Sequence, residues 1–281
     1  MMALDFSSLL PLLAIAVGAG IVGGVLAGLL GVGGGIVIVP ALYLALSSVG
    51  MDPAITMQVA VGTSLATIVF TSLSSGYGHF KRGAIDMELL RLWAPSLLVG
   101  VITGALLGGY VSGLILVGVF AVVAALVAID MIFRKPADDL AVRSFSKLVW
   151  AAIGTVTGAL SAMMGIGGGT IGVPLLNFLG YDIRRAVGTS AAIGFIIGLP
   201  GAVVYVLTGL GAEGLPPFSL GYVNLVAAAI IIPLTSSFAH VGVKLAHSIP
   251  RRALRFAFGI FLMITSLRMF LDLFSSLTAN G

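Results

Sequence analysis

The sequence predicts an all-α polytopic membrane protein of about ten transmembrane segments, arranged as two inverted five-segment repeats. Each repeat holds a short broken or re-entrant helix after a triple-glycine loop. Three observations predict this. The chain carries 59% hydrophobic and only 9% charged residues, with a mean hydropathy of +1.19, whereas charged residues make up about a quarter of a soluble domain. Apolar runs recur from residue 9 to residue 274, leaving no stretch long enough for a separate water-soluble domain. One glycine phrase also occurs twice, at equivalent places in the two halves.

The first run, 9–30, follows Met1-Met2-Ala3-Leu4-Asp5, which has no basic residue and so reads as the start of a retained span rather than a cleaved signal peptide. Gly31–Gly35 interrupts the apolar pattern before segment 2 (36–49). Segment 3 (54–76) follows a short acidic turn at Asp52, and segments 4 (89–110) and 5 (113–133) complete the first half. The longest polar stretch, 134–147, is the natural cytoplasmic linker, so 1–133 forms the first repeat and 148–281 the second. Segment 6 (148–164) runs into Gly165–Gly169, and segment 7 (170–180) follows. Segment 8 (186–209) comes after the acidic turn at Asp182, and segments 9 (219–243) and 10 (252–274) close the chain. Eight segments are long enough for about 30 Å of hydrocarbon, but segments 2 and 7 reach only about 17–21 Å as helices. Those two cannot span alone.

Both short segments follow the same pattern, G-[VI]-G-G-G-x-x-x-V-P, at Gly31–Pro40 and Gly165–Pro174. Each is followed by Ala-Val-Gly-Thr-Ser, at Ala60–Ser64 and Ala186–Ser190. Two matches in the same order indicate an internal repeat. Basic residues give the orientation. Lys81, Arg82, Arg91, Arg134, Lys135, Arg143, Lys147, Arg184, Arg185, Lys244, Arg251, Arg252 and Arg255 all fall in alternate loops or beside them, and of the fourteen only Arg268 does not. Positive loops stay inside, so both termini face outside. With five segments per half the second repeat enters upside down, the plan of many secondary transporters. The expected setting is a membrane crossed many times, with both termini on its outer side.

A glycine loop that ends inside the bilayer leaves a new helix amino terminus there, with unpaired N–H groups and about half a positive charge. Two such ends near the midplane make an anion site without a lysine or arginine, and glycine leaves the backbone open to approach. The candidate substrate-binding residues are therefore Gly33, Gly34, Gly35, Gly167, Gly168 and Gly169, with Gly62, Thr63, Ser64, Gly188, Thr189 and Ser190 adding hydroxyl donors and close packing. Gln58 and Asn177 are further candidates that could equally cross-link helices, and Pro40 and Pro174 are structural. Gly20/Gly24/Gly28 and Gly100/Gly104/Gly108 repeat every four residues and read as packing stripes, which also permit a homodimer. Arg184 and Arg185 could collect anions at a cytoplasmic mouth, although insertion topology suffices to explain them.

Other classes are excluded. No cysteine is present, which removes disulfides, iron–sulfur clusters and thiol catalysis. His79, His240 and His247 lack zinc spacing, so no metal or other cofactor is expected. The pI near 9.6 follows from loop basicity, which argues against a nucleic-acid partner. Gly18–Gly23 matches G-x-G-x-x-G inside an apolar span with no strand before it, so it is no dinucleotide site. The polar residues of the segments are Gln58, Asn177, Asn224 and the Thr-Ser pairs, with Asp130, His240, Arg268 and Asp272 near the ends. No carboxylate stands clearly at mid-depth for a proton relay, which favours a small anion held by neutral dipoles. Ser64, Ser190 and His240 show no spacing of nucleophile, base and orienting group, so the chain does not read as an enzyme.

The doubled phrases resemble the TauE/SafE family of sulfite exporters, the 4-toluene sulfonate uptake permease group, over essentially the whole chain. The resemblance implies a secondary carrier of sulfite, organosulfonates or related sulfur anions in a bacterial-type inner membrane. It also implies that Gly31–Pro40, Gly165–Pro174, Gly62–Ser64 and Gly188–Ser190 line the substrate route. An anion channel using the same glycine-lined site is the alternative.

Overall fold

The computed structural model describes residues 6–133, 146–245 and 251–279. It places ten helices in these residues: α1 (Phe6–Leu30), α2 (Gly35–Ser48), α3 (Pro53–Phe80), α4 (Met87–Tyr110), α5 (Gly113–Phe133), α6 (Lys147–Met164), α7 (Gly168–Phe178), α8 (Ile183–Thr208), α9 (Leu225–Leu245) and α10 (Arg251–Ala279). Among the described residues six helices, α3, α4, α5, α6, α8 and α9, are long and apolar enough to cross a membrane. The basic residues Arg134, Lys135 and Arg143, together with His247, lie outside the described residues. Lys147, assigned to the linker from sequence, is instead the first residue of α6, after Ser146, whose hydroxyl accepts from Val149 N.

One segment is corrected. Residues 219–224, expected at the head of the ninth span, form a two-stranded antiparallel hairpin, β1 (Ser219–Leu220) and β2 (Val223–Asn224). Gly221 turns it at φ +54°. Asn224 then starts α9, because its Oδ1 accepts from Ala227 N at 2.9 Å while its Nδ2 donates to Pro217 O and Ser219 Oγ. An asparagine whose side chain meets the free amides of a first turn ends the preceding strand and begins the helix. Asp52, Asp86 and Asp182 cap α3, α4 and α8 in the same way, accepting from Ala54 N, Leu89 N and Arg184 N at 2.8–3.0 Å. Helices α2 and α7 differ. Their caps are Gly34 and Gly167, with no side-chain hydrogen bond at all.

The principal packings are α1 on α9, α4 on α6, α5 on α10 and α3 on α8, with α3 against α2 and α9 and α8 against α7 and α4. Helix α3 is the central post, its Met57, Val59, Ala60, Val61, Leu65 and Ile68 all fully buried. The four-residue glycine stripes make two of the seams. A Cβ added at Gly24 would stand 2.8 Å from the Thr235 backbone of α9, and one at Gly104 would strike the Ala159 backbone of α6. These stripes are thus occupied within the protomer, which removes the argument they offered for a homodimer. The outer surface carries many large apolar side chains, among them Val99, Leu107, Leu126, Val156, Leu207 and Leu267, an exterior suited to lipid rather than water.

Overpacking a closed seam typically costs about 1–3 kcal/mol. Gly104→Val is therefore expected to lower the melting temperature of the detergent-solubilised protein, whereas Gly18→Ala, with nothing within 4 Å of an added Cβ, should leave it unchanged or raise it.

Candidate functional site

Helices α2 and α7 begin beside one another, where their glycine loops meet backbone to backbone. A Cβ at Gly33 would lie 3.4 Å from Gly167 Cα, and one at Gly167 would lie 2.9 Å from Val32 O. Added atoms at Gly35 and Gly169 would strike the backbones of Gly165 and Gly31. The alternate glycines of the two runs are therefore the contact between the loops, a packing role that the sequence reading had set aside in favour of open backbone. Left-handed φ at Gly33 and Gly34, +70° and +79°, turns the chain sharply from α1 into α2, a path on which a side chain would be strained.

The amides of these loops remain. Among the described residues, the N–H groups of Gly33, Gly34, Gly35, Gly167, Gly168 and Gly169 donate to no protein acceptor. All six glycines are buried. In a surface helix water would meet such groups, but in an apolar bundle their cost falls on whatever else can reach them. The surrounding polarity is neutral: among the described residues the buried polar groups belong to Thr, Ser, Gln, Asn, Tyr, Trp and His79, and no Asp, Glu, Lys or Arg is buried. Thr170 and Ser190 carry buried hydroxyls with no partner, as do Ser72, Ser75 and Ser161, which sequence reasoning passed over. Their signal was weak, since serine in an apolar helix ordinarily bonds back to its own backbone.

The two Gly-Thr steps do different work. Gly62 and Thr63 of α3 seat the hairpin before α9: a Cβ at Gly62 would stand 2.5 Å from Tyr222 O, and Thr63 Oγ1 accepts from Asn224 N at 2.9 Å. Gly188 and Thr189 of α8 seat the loop before α4: a Cβ at Gly188 would strike Ala84 O, and Thr189 Oγ1 accepts from Asp86 N at 2.9 Å. Each helix anchors the loop that follows the other. Arg185 reinforces the second anchor through Asp86 Oδ2 at 3.7 Å, with its own side chain largely in solvent, so the pair adds little on its own. Burial, and next the negative charge of Asp86, push the Tyr181 phenol beside it above the ordinary tyrosine range.

The remaining candidates scatter. Ser64 donates to Gly165 O at 2.7 Å and so ties α3 to the second glycine loop. Gln58 Nε2 donates to Val111 O at 2.8 Å, cross-linking α3 to the turn between α4 and α5. Asn177 sits at the carboxyl end of α7, about 13 Å from Gly168 by helical rise. Pro40 and Pro174 lie inside α2 and α7. His240 neighbours Ser74 Oγ at 3.4 Å and Ser236 O at 3.0 Å, not Ser64 or Ser190.

A helical bundle with a lipid-facing exterior and helix ends opening within it is the architecture of a polytopic membrane transporter. The chain belongs to the sulfite exporter TauE/SafE family, whose profile matches residues 16–269. It is 35% identical to a probable membrane transporter protein of Haemophilus influenzae over 261 residues, 92% of this chain and 98% of that one. It is 30% identical to a second, from Methanocaldococcus jannaschii, over 95% of this chain and 97% of the other. The probable membrane transporter protein YunE of Bacillus subtilis is 30% identical over 83% of this chain and 86% of its own. No solved structure matches the chain.

Losing one partner of a buried hydrogen bond costs about 1–3 kcal/mol. Thr63→Val should raise amide hydrogen exchange in the hairpin 219–224 alone, and Thr189→Val in the loop 81–86 alone. Loss of protection spread evenly through the bundle would show that these threonines are not local anchors.

Proposed function

We propose that the protein is a secondary transporter, an exporter of small sulfur-containing anions such as sulfite or organosulfonates, that binds its anion at the helix amino termini inside the bundle and works by alternating access. One observation carries the reading: buried, unpaired backbone amides at the starts of α2 and α7, in surroundings that hold hydroxyls but no buried charge. Hydrogen-bond donors with partial positive charge and no counter-charge favour an anion over a cation or a neutral solute. A small oxyanion has acceptors in several directions, and bare glycine backbone offers donors without excluding it sterically. Family membership supports the sulfur chemistry, since the family is described as sulfite exporters.

The pattern of contacts supports two inverted repeats, 1–133 and 148–281. Replacing each helix by the one five places along turns α4 on α6 into α9 on α1, α4 on α8 into α9 on α3, and α2 on α3 into α7 on α8. The pairs α3 on α8 and α5 on α10 map onto themselves. The reciprocal loop anchors at Thr63 and Thr189 obey the same exchange. Two halves that can trade roles about a shared centre suit rocking between inward- and outward-open forms. Lys81, Arg82, Arg184 and Arg185 all lie in or beside the loops between α3 and α4 and between α7 and α8, which supports a cytoplasmic face there and periplasmic termini in a cell inner membrane.

Purified protein reconstituted into liposomes is expected to move radiolabelled sulfite saturably and without single-channel current. Current with weakly saturating flux would make it a channel. No movement of sulfite, thiosulfate, taurine or sulfoacetate would refute the substrate class.

A further inference from the structure

Serine 72 stands out because three features converge on it. It is 2% exposed, its hydroxyl has no partner, and it lies near the start of α7. The place where a Cβ of Gly194 would stand is in contact with Ser72 Oγ and 3.8 Å from Gly168 N. Ser190, fully buried and equally unpartnered, approaches α7 from α8: its Oγ lies 2.9 Å from the position of a Gly172 Cβ, one turn below Gly168 on the same face. Two buried hydroxyls and the free amide of Gly168 thus lie beside the first turns of α7, toward the positive end of an eleven-residue helix.

The start of α2 has no such arrangement. Counting from the shared Ala-Val-Gly-Thr-Ser phrase, the counterpart of Gly194 is Ile68 and that of Ser190 is Ser64. Ile68 Cδ1 closes on the start of α2, 2.8 Å from the position of a Gly35 Cβ, and Ser64 has already given its hydrogen to Gly165 O. An approach to the α7 end exists along α3. Ser72, Ser75 and His79 recur at helical spacing on one face, and Ser75 Oγ and His79 Nε2 are also buried without partners. Between them Gly76 faces α8 with nothing nearer than 3.9 Å to an added Cβ, whereas farther along the same seam Gly198 and Gly201 are packed to 3.1 Å. The seam between α3 and α8 is loosest where its polar atoms lie. It ends at Lys81 and Arg82, close in sequence to His79, and beside Arg184 and Arg185 at the start of α8.

We propose that the protein has a single anion seat, formed by the hydroxyls of Ser72 and Ser190 and the amide of Gly168 at the start of α7, and reached from the basic end of α3 past Ser75, Gly76 and His79. The seat rests on the reading of the protein as an anion transporter and singles out one of its two helix ends. Hydroxyl donors turned toward an oxyanion release nothing and transfer nothing, so the seat binds and does not react.

The test uses full-length protein in detergent, titrated calorimetrically with sodium sulfite, thiosulfate, taurine and phosphate, together with its unliganded melting temperature. Ser72→Ala and Ser190→Ala should each weaken sulfite binding by about tenfold or more, the loss of one hydrogen bond to a charged group, with little change in melting temperature. Ser64→Ala should do the reverse. The chain has no cysteine, so Ser75→Cys can be labelled cleanly with a sulfonate-bearing methanethiosulfonate. Taurine, a sulfonate that unlike sulfite attacks neither the thiosulfonate nor the mixed disulfide, should slow that labelling, while Ser266→Cys, equally buried but on α10, should stay unlabelled. Sulfite binding unchanged in both alanine variants would overturn the seat and leave the transport reading standing. Binding of phosphate alone, lost with Ser72 and Ser190, would keep the seat and overturn the sulfur substrate. Wild-type protein that binds none of the four would overturn both, and an unreactive Ser75→Cys would overturn the route.

Discussion

Two helices have to begin inside an apolar bundle, and the contact that allows it is backbone against backbone. Gly31–Gly35 and Gly165–Gly169 approach so closely that a methyl group at Gly35, Gly167 or Gly169 would meet the opposing main chain. Once these loops touch, much else is set. Helices α2 and α7 start side by side, α3 and α8 must pack around them, and the outer pairs α1 with α9 and α4 with α6 close over the rest. The same contact is what leaves first-turn amides buried, because a loop pressed against another loop of glycines has no side chain to spare for capping. Structure and binding potential therefore share one cause.

The two halves exchange loops as well as helices. Helix α3 holds the hairpin that follows α8, and α8 holds the loop that follows α3, each through one glycine that admits a carbonyl and one threonine that accepts an amide hydrogen. Symmetry then breaks at the centre: Ser64 is spent on Gly165 O, Ser190 is not, and an isoleucine at 68 stands where the other half has Gly194. The two halves thus differ at residues that we propose seat the anion.

Much of the fold was legible beforehand. Segment ends fell within a few residues of the helices wherever an acidic cap or a glycine marked them, as at Asp52, Asp182 and Gly165. The miss at 219–224 had a local cause: Leu220, Tyr222 and Val223 continue the apolar run, and hydropathy does not register a turn at Gly221 or the cap at Asn224. The site was only half legible. The doubled phrases marked the loops at which α2 and α7 begin with unpaired amides, yet Gly62, Thr63, Gly188 and Thr189 serve as loop anchors, and Ser72 and Ser75 belong to no repeated motif.

Composition, the doubled glycine phrases and the placement of basic residues determined by themselves that this is a helical membrane protein with two short helices entered through glycine loops. Those are properties of local chemistry: apolar length, helix breaking and charge are written residue by residue. Tertiary structure alone decided which glycines are contacts and which amides stay open, which threonines are occupied, and that a serine of α3 lies near the start of α7. Partnership of that kind depends on residues far apart in the chain, Ser64 with Gly165 or Thr63 with Asn224, and a hydroxyl is free or spent only according to what packing brings within 3 Å of it.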